Sequence, residues 1–373
     1  MIRSLHLYNF KCFADQRLDI GAMTLLSGLN GMGKSTILQS LLSLRQSYQQ
    51  GLLEDTGLAL NGDIVQLGAA KDALFEGAQD ERIGIDLNWT DGKDARWLFS
   101  YNRESDVLAI ASATVTPDIF ETSLFSDAFH YLQAERIGPR VSFQVSDYLV
   151  RQHRQLGTKG QYTAHFLSVF EREEIPHHAL AHPKAESLRL RDQVEAWIGE
   201  VSPGTRLHIN QYTGLDLVSL EYSFVSGQQV SNNYRSTNVG FGITYTLPIL
   251  VALLSSPAGA LLLLENPEAH LHPKGQAWIG RLLGIAASCG IQVIVETHSD
   301  HVLNGIRLAV HAGELSPEAV YLKYFERTEE QGQIRHEVLT PRMDRNGRID
   351  YWPDGFFDEF DKNLAELLIP VEA

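Results

Sequence analysis

Apolar and polar residues alternate loosely along "IRSLHLYNF", Ile2–Phe10, with the two-residue period of a strand buried on one face. "QRLDIGAMTLLSG" reads as two further short strands, the second ending at Gly28. The period then changes. "LNGMGKSTILQSLLSLRQSY" predicts a loop followed by an amphipathic helix. Residues 51–80 are Gly-rich and irregular, and "RIGIDLNWT", "ARWLFSYN" and "VLAIASATV" predict a strand meander that turns at Asp91-Gly92. Residues 120–200 read as mixed and mostly helical, followed by strands at "RLHINQY", "LVSLEYSFV" and "QQVSNNY". Beyond these, helix and apolar strand alternate through "ITYTLPILVALLSS", "ALLLLE", "KGQAWIGRLLGIAASCG", "IQVIVET" and "DHVLNGIRLAV". That alternation predicts an α/β fold with a parallel sheet covered on both faces.

Composition narrows the picture. A chain of 373 residues, 44% hydrophobic, can bury one large core or two modest ones. A net charge of -15 argues against a surface that coats nucleic acid indiscriminately, though a local basic groove stays compatible with it. Two cysteines, Cys12 and Cys289, with no CxxC pair, argue against a disulfide framework or a structural zinc site. The opening "MIRSLHLYNFKCF" lacks the apolar core of a secretory signal, and "TYTLPILVALL" is too short to span a bilayer and carries Pro248. The expectation is a soluble, cytoplasmic protein with no membrane segment.

"GLNGMGKS", Gly28–Ser35, fits the phosphate-loop pattern GxxxxGK[ST]. Its glycines let the backbone turn amides toward an anion, and the following helix adds its positive end. Lys34 is expected on the β- and γ-phosphates of ATP and the Ser35 hydroxyl on Mg2+, with Asn30, Gly31, Gly33 and Thr36 completing the cradle. "ALLLLE" is the pattern of a buried strand delivering an acid, Glu265, to the edge of an open α/β sheet, where ligands bind. Glu265 is the candidate metal-holding carboxylate, expected to converge with Lys34 on one magnesium triphosphate.

With these residues in view, the chain resembles the RecF/SMC/OLD branch of ABC-type ATPases. The resemblance rests on "LHLYNFKCF", "GLNGMGKS", "ENPEAHLHP" and "VETHSD", within residues 1–45 and 236–301. It extends to bacterial RecF-like AAA family ATPases with a "WPDGFFD"-type segment, here Trp352–Asp358. The resemblance implies an ABC-type P-loop head: a mixed or parallel sheet flanked by helices, an antiparallel β subdomain and a mostly helical insertion. The implied division is an ATPase lobe at 1–120, the insertion at 121–204, a second lobe at 205–340 and a docking tail at 341–373.

The resemblance also implies a head that dimerises around two ATP molecules, each held between one subunit's phosphate loop and its partner's signature segment. The signature candidate is "STNVGFGIT", in which Ser236 or Asn238 donates to the γ-phosphate and Gly240 and Gly242 permit close approach. It departs from the transporter pattern LSGGQ, and without the family it is a turn before a helix. His298 in "VETHSD" matches the switch histidine; Thr297, Ser299 or Asp300 also suits a helix cap. Gln66 falls where such heads place a glutamine on Mg2+, and an ordinary surface glutamine reads equally well.

Asn266 stands where most ABC-type ATPases carry a water-positioning glutamate. An amide can hydrogen-bond water but cannot take its proton, so hydrolysis is expected to be slow. Glu268, beyond the turn at Pro267, is open to two readings: the substitute base, or a surface acid near a helix start. His270 and His272 have HxH spacing but no separate third ligand, and they fit a subunit interface better than a metal site. Lys11 suits a nucleotide or DNA contact as well as a solvated position. Arg136, Arg140, Arg151, Arg154 and Lys159 form the strongest basic stretch, which reads either as a DNA or RNA contact or as a salt-bridged helix. The aromatic tail, Tyr351 to Phe360, is expected to dock on its own domain.

The expected function is an ATPase acting as an ATP-dependent dimerising switch, a homodimer or higher oligomer, in bacterial antiphage defence. No sustained heptads indicate long coiled-coil arms, and the chain ends too soon after its motifs for a nuclease domain, so a separate effector is expected. The alternatives are a non-hydrolysing ATP-bound scaffold, a DNA repair ATPase, a transporter ATPase subunit, and a small-molecule kinase.

Overall fold

Strand Ile2–Phe10 buries Ile2, Leu5, Leu7 and Phe10 completely, as its alternation predicts. It is the second strand of a six-stranded antiparallel sheet in the computed structural model, which describes residues 1–212, 214–330 and 333–369. The chain divides into two units, each taken by itself below: Met1–Phe125 with Glu296–Asp300 and Pro317–Ala373, and Ser126–Val295 with His301–Ser316.

In the first unit the sheet runs Phe13–Asp19, Ile2–Phe10, Arg82–Trp89, Asp94–Ser100, Val107–Thr114, Gly57–Ala59. Leu5 pairs with Leu87 and Leu7 with Ile85, so apolar side chains stack on one face. The predicted hairpin forms at Asp91-Gly92, where Gly92 has φ 89. Helix Lys34–Gln49 departs from the expected amphipathic pattern, because Ser40, Ser43, Arg45, Gln46 and Ser47 are buried along with its leucines. Their polar groups are satisfied internally. Ser47 donates to the Ser43 carbonyl, Arg45 to the Leu124 carbonyl at 2.7 Å, and the Gln46 side chain accepts from the Ile64 and Val65 amides.

Strand Met23–Gly28 pairs in parallel with Val320–Glu330, from Met23 opposite Val320 to Gly28 opposite Phe325. Val320–Glu330 then forms an antiparallel hairpin with Gln333–Leu339. The apolar pattern predicts no strand beyond "IQVIVET", so this hairpin is an addition that the structure makes. The tail docks only in part. Phe356 is fully buried against Tyr324 and Trp352, whereas helix Glu359–Leu367 lies exposed, with Phe360 71% and Leu367 82% accessible.

In the second unit strand Leu261–Glu265 is parallel to Phe129–Leu132, and Thr205–Tyr212 is antiparallel to Leu217–Ser226. The stretch from 120 to 200 is less helical than expected. It holds two α-helices, Thr163–Phe170 and Leu190–Ile198, separated by short turns. Gly138, Pro139, Gly157, Gly160, Pro176 and Pro183 punctuate it, and Gly157 and Gly160 take positive φ. Helix Phe241–Ser255 carries Pro248 in its interior and is buried along most of its length. Among the described residues no helix is long and apolar enough to cross a membrane.

Candidate functional site

The phosphate loop begins where strand Met23–Gly28 leaves the sheet. A side chain at Gly28 would lie 2.3 Å from the Phe325 carbonyl oxygen, and its φ of 135 is a glycine conformation. Gly33, at φ 106, caps helix Lys34–Gln49, and a Cβ there would meet Cys12 Sγ and the Phe13 ring at 2.7 Å. The loop is therefore pressed against the turn at residues 11–13.

Lys34 is 3% exposed and its Nζ donates to the carbonyls of Gly28 and Leu29, both at 2.8 Å. Burial lowers its pKa, and Glu296 opposes that shift from 4.0 Å. The Ser35 hydroxyl lies 3.0 and 3.2 Å from the two carboxylate oxygens of Glu296. A cavity of about 980 Å3 opens here, lined by Asn30, Gly31, Gly33, Lys34, Ser35, Thr36, Lys11, Asp72, Glu296, Arg327 and His336 among others. Lys11 faces it rather than open solvent: its ammonium donates to Gln39 at 2.7 Å and burial pulls its pKa down. His336 bonds the Met32 carbonyl at 3.2 Å, tying the 333–339 strand to the loop tip.

The cavity brings together the six expected loop residues, Asn30 to Thr36 without Met32, and leaves out the two other expected residues of the same unit. Gln66 is exposed and does not line it, nor does His298, although that residue follows Glu296 by two. The Thr297 amide bonds the Leu26 carbonyl, and its hydroxyl accepts from the Ser299 amide, so this segment is pinned by a backbone bond and a local turn. Glu296 is the residue that sequence reasoning missed. "IQVIVE" has the same signature as "ALLLLE", a fully buried run that delivers an acid, and the same rule would have found it.

In the second unit, Leu261 to Leu264 are inaccessible and Glu265 ends the strand. Its Oε1 accepts from the Tyr131 hydroxyl at 2.8 Å and its Oε2 from the Ala134 amide at 3.1 Å. Asn266 sits at φ 44, a left-handed conformation that asparagine tolerates better than glutamate. This gives the amide a backbone reason for its place. Arg136 is 2% exposed and donates to the carbonyls of Glu265 and Asn266 at 2.7 and 2.6 Å. Burial brings its pKa down to about 10 against the pull of Glu268, Tyr245 and Glu265, so it stays a cation at neutral pH. Glu268 is thus an acid facing a buried guanidinium.

Arg136 is therefore no surface nucleic-acid contact, and its neighbours in the basic stretch are paired: Arg151 with Asp147, Arg154 with Glu173 and Lys159 with Glu135. Arg140 is exposed. Of the signature candidates, Ser236 is turned inward, inaccessible and donating to the Leu220 carbonyl at 2.6 Å. Asn238 and Gly240 are exposed, and Gly242 packs so closely that a Cβ would lie 2.7 Å from the His270 carbonyl oxygen. The His270 ring stacks edge-on with Tyr245, and His272 caps helix Pro273–Ser288 by accepting from the Lys274 amide.

Residues 23–304 match the family described as "AAA domain, putative AbiEii toxin, Type IV TA system", and residues 315–367 match "Protein of unknown function (DUF3696)". No curated protein matches the sequence. Among solved structures, the chain is similar to an SmcHead bound to the C-winged helix domain of ScpA, at 15% identity and a TM-score of 0.50, over 91% of this chain and 98% of that one. An SMC head domain from Thermotoga maritima aligns at 13% identity and a TM-score of 0.47, over 91% and 98%. An Smc head with an extended coiled coil, bound to the C-terminal domain of ScpA derived from Pyrococcus furiosus, aligns at 14% and 0.47, over 98% and 99%.

Proposed function

The chain belongs to this AAA-domain family, matched over residues 23–304, and is an ABC-type P-loop ATPase with the fold of an SMC head; from that premise we propose that it binds ATP with Mg2+ in the phosphate-loop cavity and acts as a slow, ATP-dependent dimerising switch. The observation that carries the reading is the meeting of Lys34, Ser35 and Glu296 in one cavity walled by a glycine-shaped loop. A buried ammonium supplies charge for a phosphate. The Ser35 hydroxyl and a carboxylate are the hard oxygen donors that suit Mg2+. When bound, the metal neutralises phosphate charge; the chain's own work is to position the triphosphate and hold Lys34 against it.

Slowness follows from Asn266. Its amide orients water but takes no proton, so proton removal falls to Glu268 or to solvent. A long-lived ATP state suits a switch. Dimerisation uses the exposed Asn238–Gly240 segment ahead of helix Phe241–Ser255, with Asn238 rather than Ser236 as the side-chain donor. The family description speaks of a toxin of a toxin–antitoxin system. In keeping with it, the chain is read as a bacterial defence component whose output passes to a separate effector, a nuclease or another toxic protein.

The test is mass determination with and without Mg·ATP, alongside phosphate release. The expected result is a dimer with ATP, lost in Lys34→Ala, with slow release that Glu265→Gln abolishes while ATP still binds. A chain that stays monomeric and binds no nucleotide sinks the reading. Asn266 also favours a second reading, a scaffold that dimerises on ATP and never hydrolyses it. An ATP-dependent dimer without phosphate release selects that one. A single-turnover rate of Glu268→Gln equal to wild type removes Glu268 as base.

A further inference from the structure

We infer that Glu296, together with Ser35, supplies the protein oxygens that hold the nucleotide's Mg2+. The inference rests on the ATP-binding reading above and deepens it by assigning the metal's carboxylate ligand. Strand Gln292–Glu296 is buried throughout, and Glu296 is only 8% exposed. Taking a carboxylate out of water is unfavourable unless charge compensates it. Lys34, at 4.0 Å, is one compensating charge, and it is also the group that the phosphate loop commits to phosphate.

A triphosphate entering this cavity meets an anion already in place. Like charges brought that close repel. Glu296 is therefore unfavourable to bare nucleotide. A divalent cation between the carboxylate and the phosphates turns that repulsion into attraction.

The geometry agrees. Mg2+ takes octahedral oxygens at 2.0–2.1 Å, which puts neighbouring ligand oxygens about 2.9 Å apart. Ser35 Oγ lies 3.0 Å from Glu296 Oε2 and 3.2 Å from Oε1. The two donors already stand at the spacing of one octahedral edge, so no rearrangement of the strand or loop is required.

The experiment measures Mn2+ affinity, by paramagnetic resonance, for the complex of the full chain with a non-hydrolysable ATP analogue. Analogue binding without metal, in EDTA, is measured in parallel. Glu296→Gln is expected to weaken Mn2+ at least tenfold while metal-free analogue binds as tightly or more tightly. Glu296→Asp keeps the charge on a shorter arm and is expected to weaken Mn2+ about threefold or more. It also decides the matter if Glu296→Gln fails to fold. Mn2+ affinity within twofold of wild type in the folded variant overturns the assignment. A wild-type chain that binds no analogue under either condition overturns the ATP reading itself, and this inference with it.

Discussion

Arg136 donates from its two terminal guanidinium nitrogens to the main-chain oxygens of Glu265 and Asn266, at 2.7 and 2.6 Å. A third bond, to the Gln133 carbonyl, joins the same fork. The guanidinium thus fixes the backbone at the point where the acidic strand turns left-handed. Truncation to alanine strands these carbonyls and removes a buried cation that interacts with Glu268. Arg136→Ala is expected to cost about 3–5 kcal/mol in urea denaturation, and lysine, which cannot span both carbonyls, to recover less than half. A loss below 1 kcal/mol would show that the fork holds nothing.

Gly240 and Gly242 flank the start of helix Phe241–Ser255 and differ in one respect. A Cβ on Gly240 meets open space, whereas one on Gly242 lies 2.7 Å from a backbone oxygen of His270. Gly240→Ala is expected to leave the thermal midpoint unchanged. Gly242→Ala is expected to cost about 1–3 kcal/mol, because a carbonyl in a fixed turn cannot give way as a side chain can. Equal effects would refute the contact.

Burial lowers the pKa of His165 and, separately, of His182 below the ordinary 6.5. Asp147 and Glu200 pull the other way, while Arg151 and Lys184 reinforce the burial. The unfolded chain therefore takes up protons at a higher pH than the folded one. Stability from these groups is complete above about pH 6.5 and is lost as pH falls through the lowered folded values, by at most about 1.4 kcal/mol per pH unit for each histidine. Thermal midpoints from pH 7.5 to 5.5 are expected to drop, and the drop to flatten in the double variant His165→Gln, His182→Gln. An unchanged slope would place the acid sensitivity elsewhere.

Arg151 and Arg154 lie three residues apart in one basic stretch with different surroundings. Arg151 makes an exposed pair with Asp147, whereas Arg154 bonds Glu173 at 2.9 Å and lies 4.1 Å from the centre of the Phe170 ring. Arg151→Ala is expected to cost less than about 0.5 kcal/mol and Arg154→Ala about 1–2. Reversing both charges is expected to leave the salt dependence of any DNA binding unchanged, since neither charge is free for phosphate. A steep fall in DNA affinity on reversal would restore the nucleic-acid reading of the stretch.

The first half of the candidate site was legible because its chemistry is local. GLNGMGKS specifies glycine conformations, an ammonium and a helix start within eight successive residues, and the loop forms as read. The hairpin at Asp91-Gly92 and the buried strand that ends at Glu265 were legible for the same reason. The hairpin 320–339 was not, because its first strand is defined by pairing with Met23–Gly28, nearly the whole chain away. The basic stretch stayed open between two readings because charge along a sequence does not reveal the acid or carbonyl opposite.

By itself, then, the amino-acid order determined which segments are buried strands, where the phosphate loop turns and which acids stand at strand ends, since these depend on neighbours within one or two turns of chain. The fold alone decided which acid meets Ser35, a contact across 261 residues, and that Arg136 holds a backbone turn some 130 residues distant. A carboxylate or guanidinium makes its hydrogen bonds and contact ion pairs only with groups within about 3–4 Å, and separation along the chain carries no record of that neighbour.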